Sequence, residues 1–235
     1  VCLKSLAALM NKSVKLISVS WIGSNGRHVE PVAEIGQIAR AHGVTYFVDA
    51  SQVVGQMPVD VKQNVCDVLT TPGRKWLRGP KGTGFMYLRP EYLDKCQASA
   101  KADGAADSST PLKPKNFEAS SASVPLQMGL LAALAQLEQV GVETIQKQIL
   151  TRSQYLWERL QGIPGVNCIC PVAPQHGLVS FNVVGHPATA VRQKLMDMGI
   201  EVAANQAAFS PLDMHARQLD AVVRASPHAC TTTDE

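Results

Sequence analysis

The chain has 235 residues, and its 46% hydrophobic against 17% charged content is that of an ordinary globular protein able to bury a full core. Its net charge of +3, from 22 basic and 19 acidic residues, is too small a bias to argue for nucleic acid, and no basic run is interleaved with aromatics. Apolar stretches such as 128–135 are too short to cross a bilayer, and residues 1–10 lack the basic start and long apolar core of a secretion signal.

Leu3, Leu6, Leu9 and Met10 recur at helical spacing, and an apolar strand over 14–19 follows. Residues 31–42 read as a helix with Val32, Ile35, Ile38 and Ala39 on one side and Gly43 as its stop. The nearly all-apolar run 44–48 is then a strand of the kind buried on both faces of a parallel sheet. Shorter strands are expected at 67–69 and 85–88, so the first part is an α/β layer with a crossover helix.

Past Tyr92 the texture changes. Residues 98–114 are rich in Ala, Ser, Asp, Gly, Lys and Pro without periodicity, which predicts an exposed loop or an entrance segment. Helices are expected over 125–140 and 142–160, strands over 166–172, 178–184 and 219–224, and a helix over 188–198. The expected fold class is therefore α/β, with a large domain over 1–160 and a small α+β domain over 161–235. Six cysteines at 2, 66, 96, 168, 170 and 230 form no CxxC pair, so neither a metal nor a disulfide framework is expected, and a reducing, cytoplasmic compartment is.

Two features point to chemistry. Asp49 ends the strand 44–48, placing a carboxylate at the carboxyl edge of the sheet, where open α/β folds bind ligands. Lys75 lies in the Gly/Pro-pinned run Gly73-Arg74-Lys75-Trp76-Leu77-Arg78-Gly79-Pro80. An amine that can form an imine, with a carboxylate to keep a pyridine nitrogen protonated, is what pyridoxal phosphate chemistry requires. Arginine cannot form the imine, and Lys81, set between Pro80 and Gly82, reads as a solvent-facing turn residue. Arg74 beside the lysine would lower its pKa and favour the free amine. Gln52 could donate to the cofactor's phenolic oxygen, and Arg224, at a strand end, could hold a substrate carboxylate through two parallel hydrogen bonds.

These blocks resemble the class V aminotransferase family, the cysteine desulfurase-like group of fold type I pyridoxal phosphate enzymes. The residues carrying the resemblance are 49–52, 55–60, 73–80, 82–84 and 224–228. It implies Lys75 as the cofactor lysine, Asp49 at the ring nitrogen, Gln52 at the phenolic oxygen, Arg74 in the cofactor site and Arg224 at the substrate carboxylate. It further implies a homodimer acting at the Cα of a small amino acid, with sulfur-containing ones among the candidates. Arg74 and the run 77–80 look most like the branch holding isopenicillin-N epimerase-like proteins and the C–S lyases of ergothioneine synthesis. Desulfurases usually carry a cysteine ahead of the carboxylate-binding arginine, and residues 203–213 contain none. Pro72 stands where the family offers Ser or Thr to the phosphate, and 230–232 read Cys-Thr-Thr in place of Tyr-Asn-Thr. The family begins well before residue 1 and both ends read as cut, so a segment of a longer enzyme is expected. A C–S lyase or aminotransferase-like reaction is the leading expectation. An epimerase and a non-catalytic fold remnant are the alternatives.

Overall fold

The computed structural model describes residues 1–102, 112–118 and 122–234. They fall into two compact units, each built on its own four-stranded sheet. The first takes residues 1–21, 31–51 and 59–135; the second takes 22–30, 52–58 and 136–235.

In the first unit the sheet order is β1 (Leu16–Ser20), β2 (Thr45–Asp49), β3 (Val68–Pro72) and β4 (Gly84–Leu88). The first three run parallel, with Ser20 beside Asp49 and Asp49 beside Thr70, while β4 returns antiparallel to β3. Of the stripe expected on α2 (Val32–Ala41), Val32, Ile35 and Ala39 are buried, joined by Gly36, while Ile38 is half-buried. Beneath it Tyr46 is fully buried, its hydroxyl donating to the Val32 carbonyl at 3.1 Å. Asp67 ties the strands together at their amino ends: Oδ2 accepts from the Tyr46 N–H at 2.8 Å and Oδ1 from Arg89 Nε at 2.8 Å.

The mixed α/β expectation holds, with local corrections. The first strand begins at Leu16, not at residue 14. The loop expected over 98–114 starts as helix, because α4 (Pro90–Ala102) reaches into it as far as Ala102. Pro90 suits the first position of a helix and Glu91 suits its positive end, signals local to the start that the apolar count did not weigh. A short 3₁₀ turn follows at Pro114–Phe117, and residues 103–111 of that expected loop lie outside the described residues. Helix α1 (Leu3–Leu9), a one-turn α3 (Val61–Asn64) capped by Asp60, and α5 (Val124–Val140) complete the helices up to residue 140.

The second unit has an antiparallel sheet ordered β5 (Val166–Cys168), β6 (Val179–Val183), β8 (Ala221–Ala225) and β7 (Ala203–Gln206). The strand expected over 166–172 stops at Cys168. Strand alternation divides the two faces. Phe181 and Val223 pack with Ala188, Val191 and Leu195 of α7 (Ala188–Asp197) and with Leu160 of α6 (Val142–Gln161). Val222 packs with Met214 of α8 (Pro211–Ala216) and with Ile169. Among the described residues no helix is long and apolar enough to cross a membrane.

Candidate active site

Three parallel strands deliver their carboxyl ends to one edge of the first sheet, and Asp49 and the Lys75 loop sit there. Asp49 is the last residue of β2 and half-buried, its backbone paired to both neighbours: its carbonyl accepts from Trp21 N–H at 2.9 Å, and Ala50 N–H donates to the Thr70 carbonyl at 2.9 Å. Its Oδ1 accepts from Ser51 N–H at 2.8 Å, while Oδ2 has no partner among the described residues. One carboxylate oxygen thus fixes the turn and the other is left for a donor from outside.

Lys75 lies on the loop that leaves the same edge from the adjacent strand, β3, and returns through β4. That loop is closed by its own backbone. Gly73 N–H donates to the Thr83 carbonyl at 2.8 Å, Gly79 N–H to the Gly73 carbonyl at 2.8 Å, and Arg78 N–H to the Lys75 carbonyl at 2.9 Å. Such closeness needs glycine: a Cβ on Gly79 would lie 3.0 Å from the Gly73 oxygen, and one on Gly84 2.6 Å from the Thr71 oxygen. Trp76 and Leu77 are buried and anchor the loop, leaving Lys75 half-buried and Arg74 exposed. Arg78 takes a left-handed φ of 60°, a strained conformation for a residue with a side chain. Helix α5 backs the loop, with Gly129 so close to Pro80 that a Cβ would come within 2.5 Å of its ring. Thr71, next to Pro72, is buried, with its hydroxyl 3.5 Å from the Pro72 carbonyl.

The other two candidates belong to the second unit. Gln52 is buried, and its carbonyl accepts from the Gln56 side chain. The Gln56 amide oxygen in turn accepts from Gly177 N–H at 2.8 Å. Arg224 lies on the face of β8 that also carries Val222, with Ser180 as its register partner on β6. Its Nη1 donates to the Ser24 carbonyl at 2.7 Å, whereas its buried Nε has no partner among the described residues. Burial pushes its guanidinium pKa below the ordinary value. Sequence reading missed the polar frame around it. Asn205 Nδ2 donates to Asn25 Oδ1 at 2.9 Å, and the Ser180 hydroxyl to the Asn25 carbonyl at 2.8 Å. No signal in the sequence marks Asn25 and Asn205, which are 180 residues apart. His176 was missed too: it is buried, its Nδ1 accepts from Leu178 N–H at 3.2 Å, and burial pushes its pKa down to about 4.

A family model, aminotransferase class-V, matches residues 1–235. The chain belongs to that family. Among curated class V relatives it is 29% identical to a probable cysteine desulfurase of Methanothermobacter thermautotrophicus, over 96% of this chain and 59% of the relative. It is 31% identical to a probable cysteine desulfurase of Synechocystis, over 99% of this chain and 57% of the relative. Among solved structures it resembles the cystine C–S lyase C-DES in complex with its reaction product cysteine persulfide, with 28% identity and a TM-score of 0.81, covering 99% of this chain and 61% of that one. A lysine-to-alanine mutant of C-DES, with glycine covalently linked to its PLP cofactor, matches at 27% identity and the same TM-score. The chain therefore spans about three fifths of the length of these class V proteins.

No cysteine falls in the stretch 203–213, which forms β7, a 3₁₀ turn and the first half of α8. The buried thiols are poor nucleophiles: burial pushes Cys66 up to about 11 and raises Cys170, whose sulfur sits 3.0 Å from the Gly26 carbonyl.

Proposed function

We propose that this chain carries the site of a pyridoxal phosphate-dependent C–S lyase acting by β-elimination on a small sulfur-containing amino acid. The observation that carries the reading is the convergence, within the first unit, of Asp49 and the Lys75 loop on the carboxyl ends of adjacent parallel strands. Within the first unit the residues suit the cofactor: an amine on a glycine-tightened loop and a carboxylate with one oxygen unengaged. When bound, pyridoxal phosphate supplies an electron sink for the pair left by the Cα proton. Asp49 would hold the proton on the ring nitrogen, Gln52 would donate to the phenolic oxygen, and Arg74 would add positive charge beside the lysine. Arg224 would take the substrate carboxylate through Nε and the neighbouring amino group, fixing which Cα bond is broken. Lys75 Nζ would remove the Cα proton as the Cβ–S bond breaks and the electron pair leaves on sulfur.

A lyase is favoured over a desulfurase because desulfuration needs a thiolate to receive sulfur, and residues 203–213 offer none. Arg74 and the run 77–80 support the epimerase-like and ergothioneine-lyase branch within the family. Family resemblance supports a homodimer, and six free cysteines support a reducing, cytoplasmic setting.

Pyridoxal phosphate added to the whole chain should give the visible absorbance band of a lysine-bound cofactor, absent in Lys75→Ala. With cystine, pyruvate and persulfide should form in equal amounts. No band would overturn the cofactor reading and leave the remnant alternative standing; alanine as product would overturn the lyase in favour of desulfuration.

A further inference from the structure

At the opposite, amino-terminal edge of the first sheet lies a cavity of about 310 Å³, over the Asp67–Arg89 pair and walled by α2 and α4. A second cavity, of about 380 Å³, adjoins it and shares Arg40, Val65, Arg89 and Glu91 with it. Together they form two lobes of one trench, with Lys95 in the first lobe, Lys62 in the second and Arg40 in both. Every residue involved belongs to the first unit.

The charges are unbalanced in one direction. Four cations, Arg40, Lys62, Arg89 and Lys95, line the trench against two carboxylates, Asp67 and Glu91. Both carboxylates are engaged by Arg89: Asp67 through Nε at 2.8 Å, Glu91 through Nη1 at 3.1 Å. Glu91 is turned to Arg89 although Lys95, four residues on, is the helical partner its spacing would favour. Arg40, Lys62 and Lys95 are exposed and make no ion pair among the described residues. A solvated surface of mixed charge would scatter such cations; here they border one concavity. Tyr92 lines the first lobe and Tyr87 the second. Burial raises both phenol pKa values, which keeps them protonated and able to donate.

We propose that this trench is a second ligand site that takes an extended, multiply phosphorylated small molecule. Arg40 at the shared centre presents a planar fork suited to phosphate oxygens, and the two lysines act as point charges toward the ends. Two lobes with a cation in each favour several anionic groups in a row over one compact anion. The site is separate from the Lys75 edge and does not depend on the reading of that edge.

Isothermal titration of the whole chain with inorganic tripolyphosphate, at about 0.15 M salt to screen loose surface attraction, tests it. Saturable binding is expected. Arg40→Gln should weaken it about tenfold or more, the scale of a lost charge-assisted phosphate contact. Lys62→Gln and Lys95→Gln should each weaken it roughly threefold, and orthophosphate should bind far more weakly than tripolyphosphate. All three side chains are exposed, so the variants should keep the fold. Lys75→Ala should leave the binding unchanged; its loss there would move the site to the opposite edge and overturn the proposal. Equal affinity in wild type and in Arg40→Gln, no binding at that salt, or tighter binding of an acidic peptide than of tripolyphosphate would also overturn it.

Discussion

The two units position their polar groups by different means. In the first, the Lys75 loop is held by main chain against main chain, and the room for that contact comes from missing side chains at Gly73, Gly79 and Gly84. In the second, Arg224 donates to the Ser24 carbonyl beside a side-chain frame in which Asn205 donates to the Asn25 side-chain oxygen and Ser180 to the Asn25 carbonyl. The first arrangement tolerates no added volume but leaves Lys75 half-buried. The second tolerates modest changes of size, but each polar atom removed leaves a buried partner unsatisfied. A loop built by backbone approach therefore responds to steric change, and a frame built by side-chain hydrogen bonds responds to chemical change.

The largest test of that contrast is Gly84→Val. The new Cβ meets a backbone oxygen that cannot swing away, so a stability loss of about 3 kcal/mol is expected by urea denaturation. A fully tolerated substitution would mean that the β3–β4 pairing is looser than its contacts imply.

Next comes acid. His176 is neutral when folded down to about pH 4, whereas in the unfolded chain it takes up a proton near its ordinary value of 6.5. Between those limits the unfolded state binds more protons, so stability is full above about pH 6.5 and falls as the pH drops toward 4. The loss attributable to this group approaches about 3 kcal/mol, and His176→Gln should flatten the urea midpoint across that window relative to wild type. Identical slopes in the two proteins would show that the ring is hydrated.

Asn205→Ala should cost about 1–2 kcal/mol, because the Asn25 oxygen loses its donor while remaining buried. The smallest effect runs the other way: Arg78→Gly relieves the left-handed conformation and should stabilise by up to about 1 kcal/mol, read as a small upward shift in Tm.

The same contrast explains what the sequence disclosed. Val44 to Val48 is an apolar run ending in an acid, and Lys75 is embedded in glycine and proline, so both were legible as local patterns. So was α2, whose buried residues recur at helical spacing. Helix α4 was missed, because Ala and Lys give good helix propensity without an apolar stripe. Strand β7, Ala-Ala-Asn-Gln, has no strand-forming composition and forms because β8 offers an edge to pair with. The segments 22–30 and 52–58 join the second unit through contacts with residues more than a hundred positions away, such as Gln56 with Gly177, which no window of sequence can reveal.

The antiparallel return of β4 has a kinetic corollary. Parallel neighbours β1 and β2 need a crossover helix before they can pair, but β3 and β4 are consecutive and pair residues 68–72 with 84–88. Closing so short a stretch of chain costs little entropy, so the lysine-bearing hairpin should take shape early in refolding, ahead of the slower parallel pairings that complete its sheet.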